Sequence, residues 1–173
     1  LFLFIVPLSG GVKVLYTNRL GLHLLRGFCV VFANITFFLG LAALPLAEGV
    51  AIFFISPLLI TIFSVVFLKE IVGPRRWAAV TIGLIGVLVI LRPGSATFQT
   101  ASLLPLSAAF GYATLHMLTR YIGKTESAAS MSFYIQLTFL AVCLMLGLTI
   151  GDGKFSGWDD PSLEFLFRAW SWP

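Results

Sequence analysis

The sequence contains few charged residues. Aspartate, glutamate, lysine and arginine make up 10% of its 173 residues, whereas an ordinary soluble domain carries about 25%. Hydrophobic residues make up 59%, and the mean hydropathy is +1.02. This balance excludes an ordinary soluble domain and predicts a protein embedded in a lipid bilayer. The formal net charge of +4 is weak evidence for nucleic acid binding, because lysine and arginine lie at the ends of apolar runs, where they act as topology signals. We expect no nucleic acid partner.

Groups for metal, cofactor or nucleotide chemistry are also scarce. Cys29 and Cys143 both fall inside apolar runs, which favours packing at lipid depth over a disulfide or a metal pair. No cysteine or acid lies three or four residues after His23 or His116, so we expect no metal site. The phosphate-binding pattern G-x-x-x-x-G-K-[ST] is absent. We therefore expect no cofactor and no ATP-binding domain.

The first residues, LFLFIVPL, are too short to span a membrane. No basic region or small-residue cleavage site accompanies them, so they do not form a signal peptide. We expect them to be the end of a helix whose beginning precedes this sequence, and the chain to be part of a longer protein.

Long apolar runs are present instead, and five of them predict transmembrane helices. The central two, 49–68 and 77–91, hold about 20 and about 15 residues without a charge, and flanking side chains that can snorkel extend each one across a bilayer. They lack the polar stripe of a soluble helix. The other predicted spans are 27–44, 101–121 and 127–150. A polar segment, 9–26, is expected to precede the first span, and residues 45–48 to form a tight turn.

The distribution of lysine and arginine predicts how the spans are oriented. One side of the spans holds Lys13, Arg19, Arg26, Lys69, Arg75, Arg76, Arg120 and Lys124. The other side holds Arg92, Lys154 and Arg168. By the positive-inside rule the first side faces the cytoplasm. After the fifth span, Asp160 and Pro161 can cap and begin an amphipathic helix over 161–172, which is either interfacial or the approach to a further span.

Residues 45–94 carry a family resemblance. They read PLAEGVAIFFISPLLITIFSVVFLKEIVGPRRWAAVTIGLIGVLVILRPG, which is similar to the second half of an EamA-type repeat of the drug/metabolite transporter superfamily. The matching features are LAE before a helix, SP within it, KE at its end, and spaced glycines in the following helix. The preceding LLRGFCVVFANITFFLGLAALPLAE fits the third helix of the repeat. SAAFGYATLHMLTRYIGKTESAASMSFY resembles the start of the second repeat.

The resemblance implies an all-α membrane protein, a multi-span helical bundle that is part of a ten-helix fold of two inverted five-helix repeats. Residues 1–95 would then hold the end of helix two and helices three to five. Residues 101–173 would hold helices six and seven and the following periplasmic loop. The implied function is secondary transport of small metabolites, amino acids or related compounds, across the bacterial inner membrane by alternating access. The protein would not be an enzyme, and its partners would be the bilayer and a small-molecule substrate. The resemblance also allows a homo-oligomer.

The helices that face the central cavity in this family suggest which residues form its wall here. The candidates are Asn34, Ser56, Tyr112 and His116. Polar groups at membrane depth are costly and are therefore functional candidates. Three of them have an alternative: Asn34 could bond a neighbouring helix, Ser56 could satisfy a backbone carbonyl, and His116 could reach the membrane interface near Arg120. Gln136, in the fifth span, could serve a pore or packing.

Two further residues are candidates for gating or for a helix kink. Pro57 removes a backbone donor inside the second span and frees the carbonyl of Phe53, and broken helices are typical of transporter sites. Glu48 could be a gating carboxylate or could simply complement the helix dipole in a first turn. Glu70, beside Lys69, is expected to be a solvated or paired structural charge.

Two other classes of function are weighed against transport. A membrane-embedded lipid-modifying enzyme would need a cluster of polar groups at a membrane face, and only His23 and Arg26 are available there. A non-transporting membrane subunit would use small-residue pairs such as Ala109 and Ala113 for packing.

Overall fold

The computed structural model describes residues 16–17, 19–91, 100–151, 157 and 159–167. Within these residues the chain is helical, with no strand, which confirms the all-α prediction. We number the helices in chain order: α1 Leu20–Ala43, α2 Leu46–Phe53, α3 Ser56–Leu68, α4 Pro74–Leu91, α5 Leu103–Ile122, α6 Ala128–Ile150 and α7 Pro161–Phe167. A 3-10 turn, Thr100–Ser102, precedes α5. The ten-helix arrangement and its division at 95–101 stay predictions.

Four helical stretches of the described chain are long and apolar enough to cross a membrane. They are Leu20–Ala43, Leu46–Leu68, Thr100–Ile122 and Ala128–Ile150. The protein is therefore a multi-pass membrane protein, as its composition predicts. The predicted span 77–91 lies within helix α4, but α4 is not among these four.

Helix α1 begins earlier than expected. Residues 20–26, assigned to a polar segment outside the first span, are the first two turns of α1, and residues 9–15 lie outside the described residues. His23 and Arg26 are buried within the helix. These two polar side chains can be buried because side chains from α5 and from the start of α6 lie against them, as described below. The predicted turn 45–48 is likewise shorter, since α2 begins at Leu46 and Glu48 lies in its first turn.

The span Leu46–Leu68 is interrupted near its middle. Phe54 and Ile55 form a turn between α2 and α3, in which Phe54 N–H donates to the Val50 carbonyl and Ile55 N–H to that of Ile52, each at 3.1 Å. Pro57 follows in the first turn of α3, where a missing N–H breaks no helical bond. The proline therefore begins a new helix directly after the break.

Small residues let α1 approach α5 closely. A Cβ added to Gly111 would lie 2.9 Å from the ring of Phe32, and one added to Gly40 would lie 2.6 Å from the ring of Pro105. Ala109 and Ala113 are fully buried. This is the close packing that small residues four apart favour.

Helix α7 lies against the end of α1. The Asp160 carboxylate accepts from Ser162 N–H at 2.8 Å, and Pro161 is the first helical residue, which confirms the predicted cap. The Ser162 hydroxyl donates to the Leu39 carbonyl at 2.9 Å. Residues 168–173 of the predicted amphipathic helix lie outside the described residues.

Candidate functional site

A cavity of about 260 Å³ lies at mid-length of α1 and α5. Its wall is formed by Ala33, Asn34, Phe37, Phe38, Phe53 and Tyr112. Two of the four predicted wall residues, Asn34 and Tyr112, therefore meet at one cavity, although they are far apart in sequence. We call it the aromatic cavity, because four of its six lining side chains are aromatic.

The aromatic rings form a continuous series across three helices. The centroid of Phe37 on α1 lies 4.9 Å from that of Phe53 on α2, and Phe53 lies 5.4 Å from Tyr112 on α5. Tyr112 in turn meets His116 edge-on at 4.4 Å. These four rings are only partly buried. His116 thus does not line the cavity itself but lies against the Tyr112 ring, which does.

Asn34 separates the aromatic cavity from a second cavity of about 240 Å³. The second cavity is apolar and lies between α1, α6 and α7, with Phe139 and Cys143 in its wall. The amide nitrogen of Asn34 donates to the Val30 carbonyl of its own helix at 2.8 Å, so this bond does not join two helices.

The remaining predicted residues lie away from the aromatic cavity. Ser56 is buried at the start of α3 and is not among the residues that line it. Pro57 is exposed and borders a different cavity, of about 500 Å³, between α3 and α4. Gln136 is exposed on α6. The functional roles of Ser56, Pro57 and Glu48 stay predictions.

A layer of polar side chains near the start of α1 was not anticipated. Arg26, which is 2% exposed, donates from Nε to the Thr119 hydroxyl of α5 at 3.1 Å. His23, which is 0% exposed, lies with Nε2 3.6 Å from a carboxylate oxygen of Glu126, in the turn before α6. The other Glu126 oxygen accepts from the Thr17 hydroxyl at 2.8 Å. We call His23, Arg26, Thr119, Glu126 and Ser130 the polar layer.

Several groups in this layer are buried without a hydrogen-bond partner. Among the described residues, the buried side-chain atoms without one are Nδ1 and Nε2 of His23, Nη1 of Arg26 and Oγ of Ser130. All of them lie at the same end of the bundle. Because a buried, unsatisfied polar group costs about 1–3 kcal/mol, more if charged, this end is the least favourably packed polar region that the structure describes.

An ion pair lies at the rim of the same end. Arg120, in the last turn of α5, binds the Glu70 carboxylate at 3.0 Å and donates to the Ser64 hydroxyl of α3 at 2.8 Å. This confirms that Glu70 is a paired charge. The backbone allows the pairing because Lys69 adopts a left-handed conformation with φ 54°, which ends α3 and leads Glu70 N–H back to the Ser64 carbonyl at 3.2 Å.

These contacts also show where the cationic side chains lie. The start of α1, the end of α3, the end of α5 and the start of α6 meet at one end of the bundle, through Arg26–Thr119, Arg120–Ser64 and His23–Glu126. The sequence assigns one group of lysines and arginines to the cytoplasmic side of the spans. Those that the structure describes therefore lie at one end of the bundle, which we call the basic end. Arg92, Lys154 and Arg168, assigned to the other side, lie outside the described residues.

Sequence reasoning missed the polar layer for a specific reason. His23 and Arg26 were considered only as an incomplete catalytic pair, because their partners lie about a hundred residues away. One signal was available: Tyr112, His116 and Thr119 follow one another at helical spacing. That stripe connects the aromatic cavity to the polar layer along α5.

A membrane-length helix that is broken near its middle, beside a cavity at mid-length of its neighbours, is a feature that membrane transporters also have. The comparison with protein families is explicit: residues 1–92, just over half of the chain, match the EamA-like transporter family. The chain belongs to this family, which is one of transporters and not of enzymes.

Individual relatives carry transporter names as well. The chain is 37% identical over 135 residues to a riboflavin transporter of Vibrio cholerae, covering 78% of this chain and 45% of that protein. It is 30% identical over 141 residues to a riboflavin transporter of Brucella anthropi, with coverages of 82% and 50%. It is 31% identical over 134 residues to an S-adenosylmethionine uptake transporter of Rickettsia felis, with coverages of 78% and 46%. The chain spans about half the length of the curated relatives it matches. No solved structure matches it.

Proposed function

We propose that this protein is a secondary transporter that moves a small metabolite bearing a flat heteroaromatic ring across the bacterial inner membrane by alternating access. The observation that supports this most directly is the aromatic cavity at mid-depth, with Asn34 and Tyr112 in its wall. Transporters of inverted-repeat type bind their substrates near the bilayer midplane.

The wall of the cavity fits a flat ring. Partly exposed aromatic side chains offer faces and edges for stacking, and each such contact contributes about 0.5–1.5 kcal/mol beyond the buried area. The Asn34 amide and the Tyr112 hydroxyl supply hydrogen-bonding groups for the edge of a heterocycle. The volume of about 260 Å³ suits a ring system more than a whole cofactor-sized molecule, since complete ligand sites measure about 300–1,000 Å³.

The named relatives agree with this substrate class. Riboflavin and S-adenosylmethionine each contain a flat nitrogen heterocycle, and these are the compounds for which the relatives are named. A free amino acid fits less well, because none of the described residues that line the aromatic cavity carries a charge to pair with an α-carboxylate or an ammonium group. We therefore favour a heteroaromatic metabolite over an amino acid.

The orientation follows the positive-inside rule. We propose that the basic end, with Arg19, Arg75, Arg76 and Lys124 among its residues, faces the cytoplasm. The substrate then enters or leaves the cell by way of the aromatic cavity.

The test is uptake by the full-length protein in liposomes, with radiolabelled riboflavin, S-adenosylmethionine and a panel of amino acids. We expect uptake of a heteroaromatic compound. Tyr112→Leu should raise its KM about tenfold or more, whereas Tyr112→Phe, which keeps the ring and loses only the hydroxyl, should raise it less. Tyr121→Leu is the matched control, because Tyr121 is an exposed tyrosine on the same helix. Uptake of amino acids alone, or a Tyr112→Leu variant with unchanged KM, would contradict the proposal.

A further inference from the structure

The polar layer is the part of the basic end that lies nearest to the aromatic cavity. Thr119 follows Tyr112 by seven residues on α5, and Arg26 precedes Asn34 by eight on α1, which places the layer about 10–12 Å from the cavity along the helix axes. Cys29, Leu115 and Leu118 form a buried apolar cluster between them. The apolar cluster therefore separates the aromatic cavity from the polar layer of the basic end.

Three sets of polar side-chain contacts at this end join helices of the two predicted repeats. Arg26 of α1 binds Thr119 of α5, and Arg120 of α5 binds Ser64 and Glu70 at the end of α3. His23 of α1 faces Glu126, just before α6. Because these contacts cross from 1–95 to 101–173, they must separate if one repeat rocks against the other.

Two features of this end act in opposite directions. The Arg120–Glu70 pair favours closure, but only weakly, because its side chains are 41% and 32% exposed and exposed ion pairs contribute little. The buried polar layer favours opening, because Arg26 Nη1, His23 Nδ1 and Ser130 Oγ have no hydrogen-bond partner and would gain hydrogen bonds if water reached them. The basic end would be held closed more strongly if these buried polar groups had hydrogen-bond partners.

We propose that the polar layer and the Arg120–Glu70 pair form the gate that closes the substrate path at the basic end. The gate opens when the two repeats separate there and water hydrates Arg26, His23 and Ser130. This inference rests on the proposed transport function. In it, residues outside the cavity control whether the cavity is open to one side of the membrane.

The proposal predicts opposite effects for the two arginines. Arg26→Met replaces a buried cation, whose Nη1 has no hydrogen-bond partner, by an apolar side chain of similar length, which removes the cost of burying that group. Thr119 keeps a partner, since its hydroxyl also donates to the Leu115 carbonyl at 2.7 Å. Arg26→Met should therefore favour the closed gate, whereas Arg120→Gln, which removes the outer pair, should favour the open one.

The experiment measures access to the cavity from each side. A reporter, Ala33→Cys, is placed in the cavity wall of the full-length protein, with Cys29→Ala, Cys143→Ala and every other cysteine replaced. Sealed vesicles of either orientation are treated with a membrane-impermeant maleimide. From the basic side, we expect Arg120→Gln to label at least fivefold faster than the parent, and Arg26→Met to label at least fivefold more slowly. Arg75→Gln, at an exposed arginine of the same end, should match the parent.

A charge exchange protects the test against misfolding. Arg120→Glu and Glu70→Arg should each speed labelling, and the double variant should return it to within twofold of the parent. Equal labelling rates in the parent, Arg26→Met and Arg120→Gln would overturn the gate, as would a double variant that fails to recover. The labelling needs no substrate, so a protein without uptake but with these rates would contradict the transport proposal and leave the closure standing.

Discussion

Arg26 and Thr119 are 93 residues apart in sequence, and the guanidinium of one donates to the hydroxyl of the other at 3.1 Å. The same hydroxyl donates to the Leu115 carbonyl one turn earlier. The Thr119 hydroxyl therefore both accepts and donates a hydrogen bond. It is the acceptor on α5 for the buried Arg26 side chain.

Removing that acceptor should destabilise the protein. Thr119→Val leaves Arg26 Nε buried without its partner, which we expect to cost about 1–3 kcal/mol, whereas Thr119→Ser should cost less than about 1 kcal/mol. Thermal unfolding of the full-length protein in detergent measures the difference. Thr114→Val is the control, because Thr114 on the same helix bonds only its own backbone, at Phe110, and should change stability by less than about 0.5 kcal/mol. Equal losses for Thr119→Val and Thr114→Val would show that Arg26 does not depend on Thr119.

Glycine substitutions should have effects of opposite sign at two positions. Gly40→Ala places a methyl group 2.6 Å from Pro105, and the rigid proline ring cannot move aside, so we expect a loss of about 1–3 kcal/mol. Gly86→Ala in α4 meets nothing within 4 Å and should gain up to about 1 kcal/mol through helix propensity. Unfolding midpoints of the two variants, compared in one detergent, provide the measurement. A Gly40→Ala variant as stable as Gly86→Ala would mean that α1 and α5 are further apart than described.

The Phe53 ring should contribute to substrate binding. Phe53 lies between Phe37 and Tyr112 in the cavity wall, tilted against both rings. The loss of one aromatic contact of about 0.5–1.5 kcal/mol predicts that Phe53→Leu raises KM about 2- to 12-fold. Uptake kinetics of the heteroaromatic substrate measure this. Phe67→Leu, at an exposed ring near the end of α3, serves as the control and should leave KM unchanged. A Phe53→Leu variant that behaves like Phe67→Leu would remove α2 from the substrate site.

The cap of α7 should control whether that helix stays docked. Asp160→Ala removes the acceptor for Ser162 N–H, and losing a cap of this kind costs about 0.5–2 kcal/mol. We expect faster amide hydrogen exchange over 161–167 in the full-length protein, measured by mass spectrometry. Asp159→Ala changes the neighbouring exposed aspartate and should leave exchange as it is. Unchanged exchange in Asp160→Ala would show that the Ser162–Leu39 contact alone keeps α7 in place.

Most helix positions could be predicted from the sequence, because apolar runs of membrane length have few alternatives. The predicted span 127–150 differs from α6 by one residue, and 101–121 differs little from the helical stretch Thr100–Ile122. The start of α1 could not be predicted in the same way. Residues 20–26 look like a polar segment until Thr119 and Glu126, distant in sequence, are seen to lie against Arg26 and His23.

The candidate site was predictable only in part. Asn34 and Tyr112 are both mid-helix polar residues, and the structure brings them to one cavity. Ser56 has a similar depth but does not line that cavity. Depth along a helix can be read from hydropathy, whereas the direction in which a side chain points depends on how the helices pack. The break at Phe54–Ile55, which the sequence signals through Pro57, resets that direction for α3 relative to α2.

The same break makes α2 a short helix with non-helical residues at both of its ends. It has 8 residues, or about 12 Å, with Leu44 and Pro45 at one end and Phe54 and Ile55 at the other. Phe53 is its last residue and lines the aromatic cavity, whereas Ser64 on α3 holds the contact with Arg120. One broken span therefore supplies a wall of the cavity through its first half and a contact of the basic end through its second half.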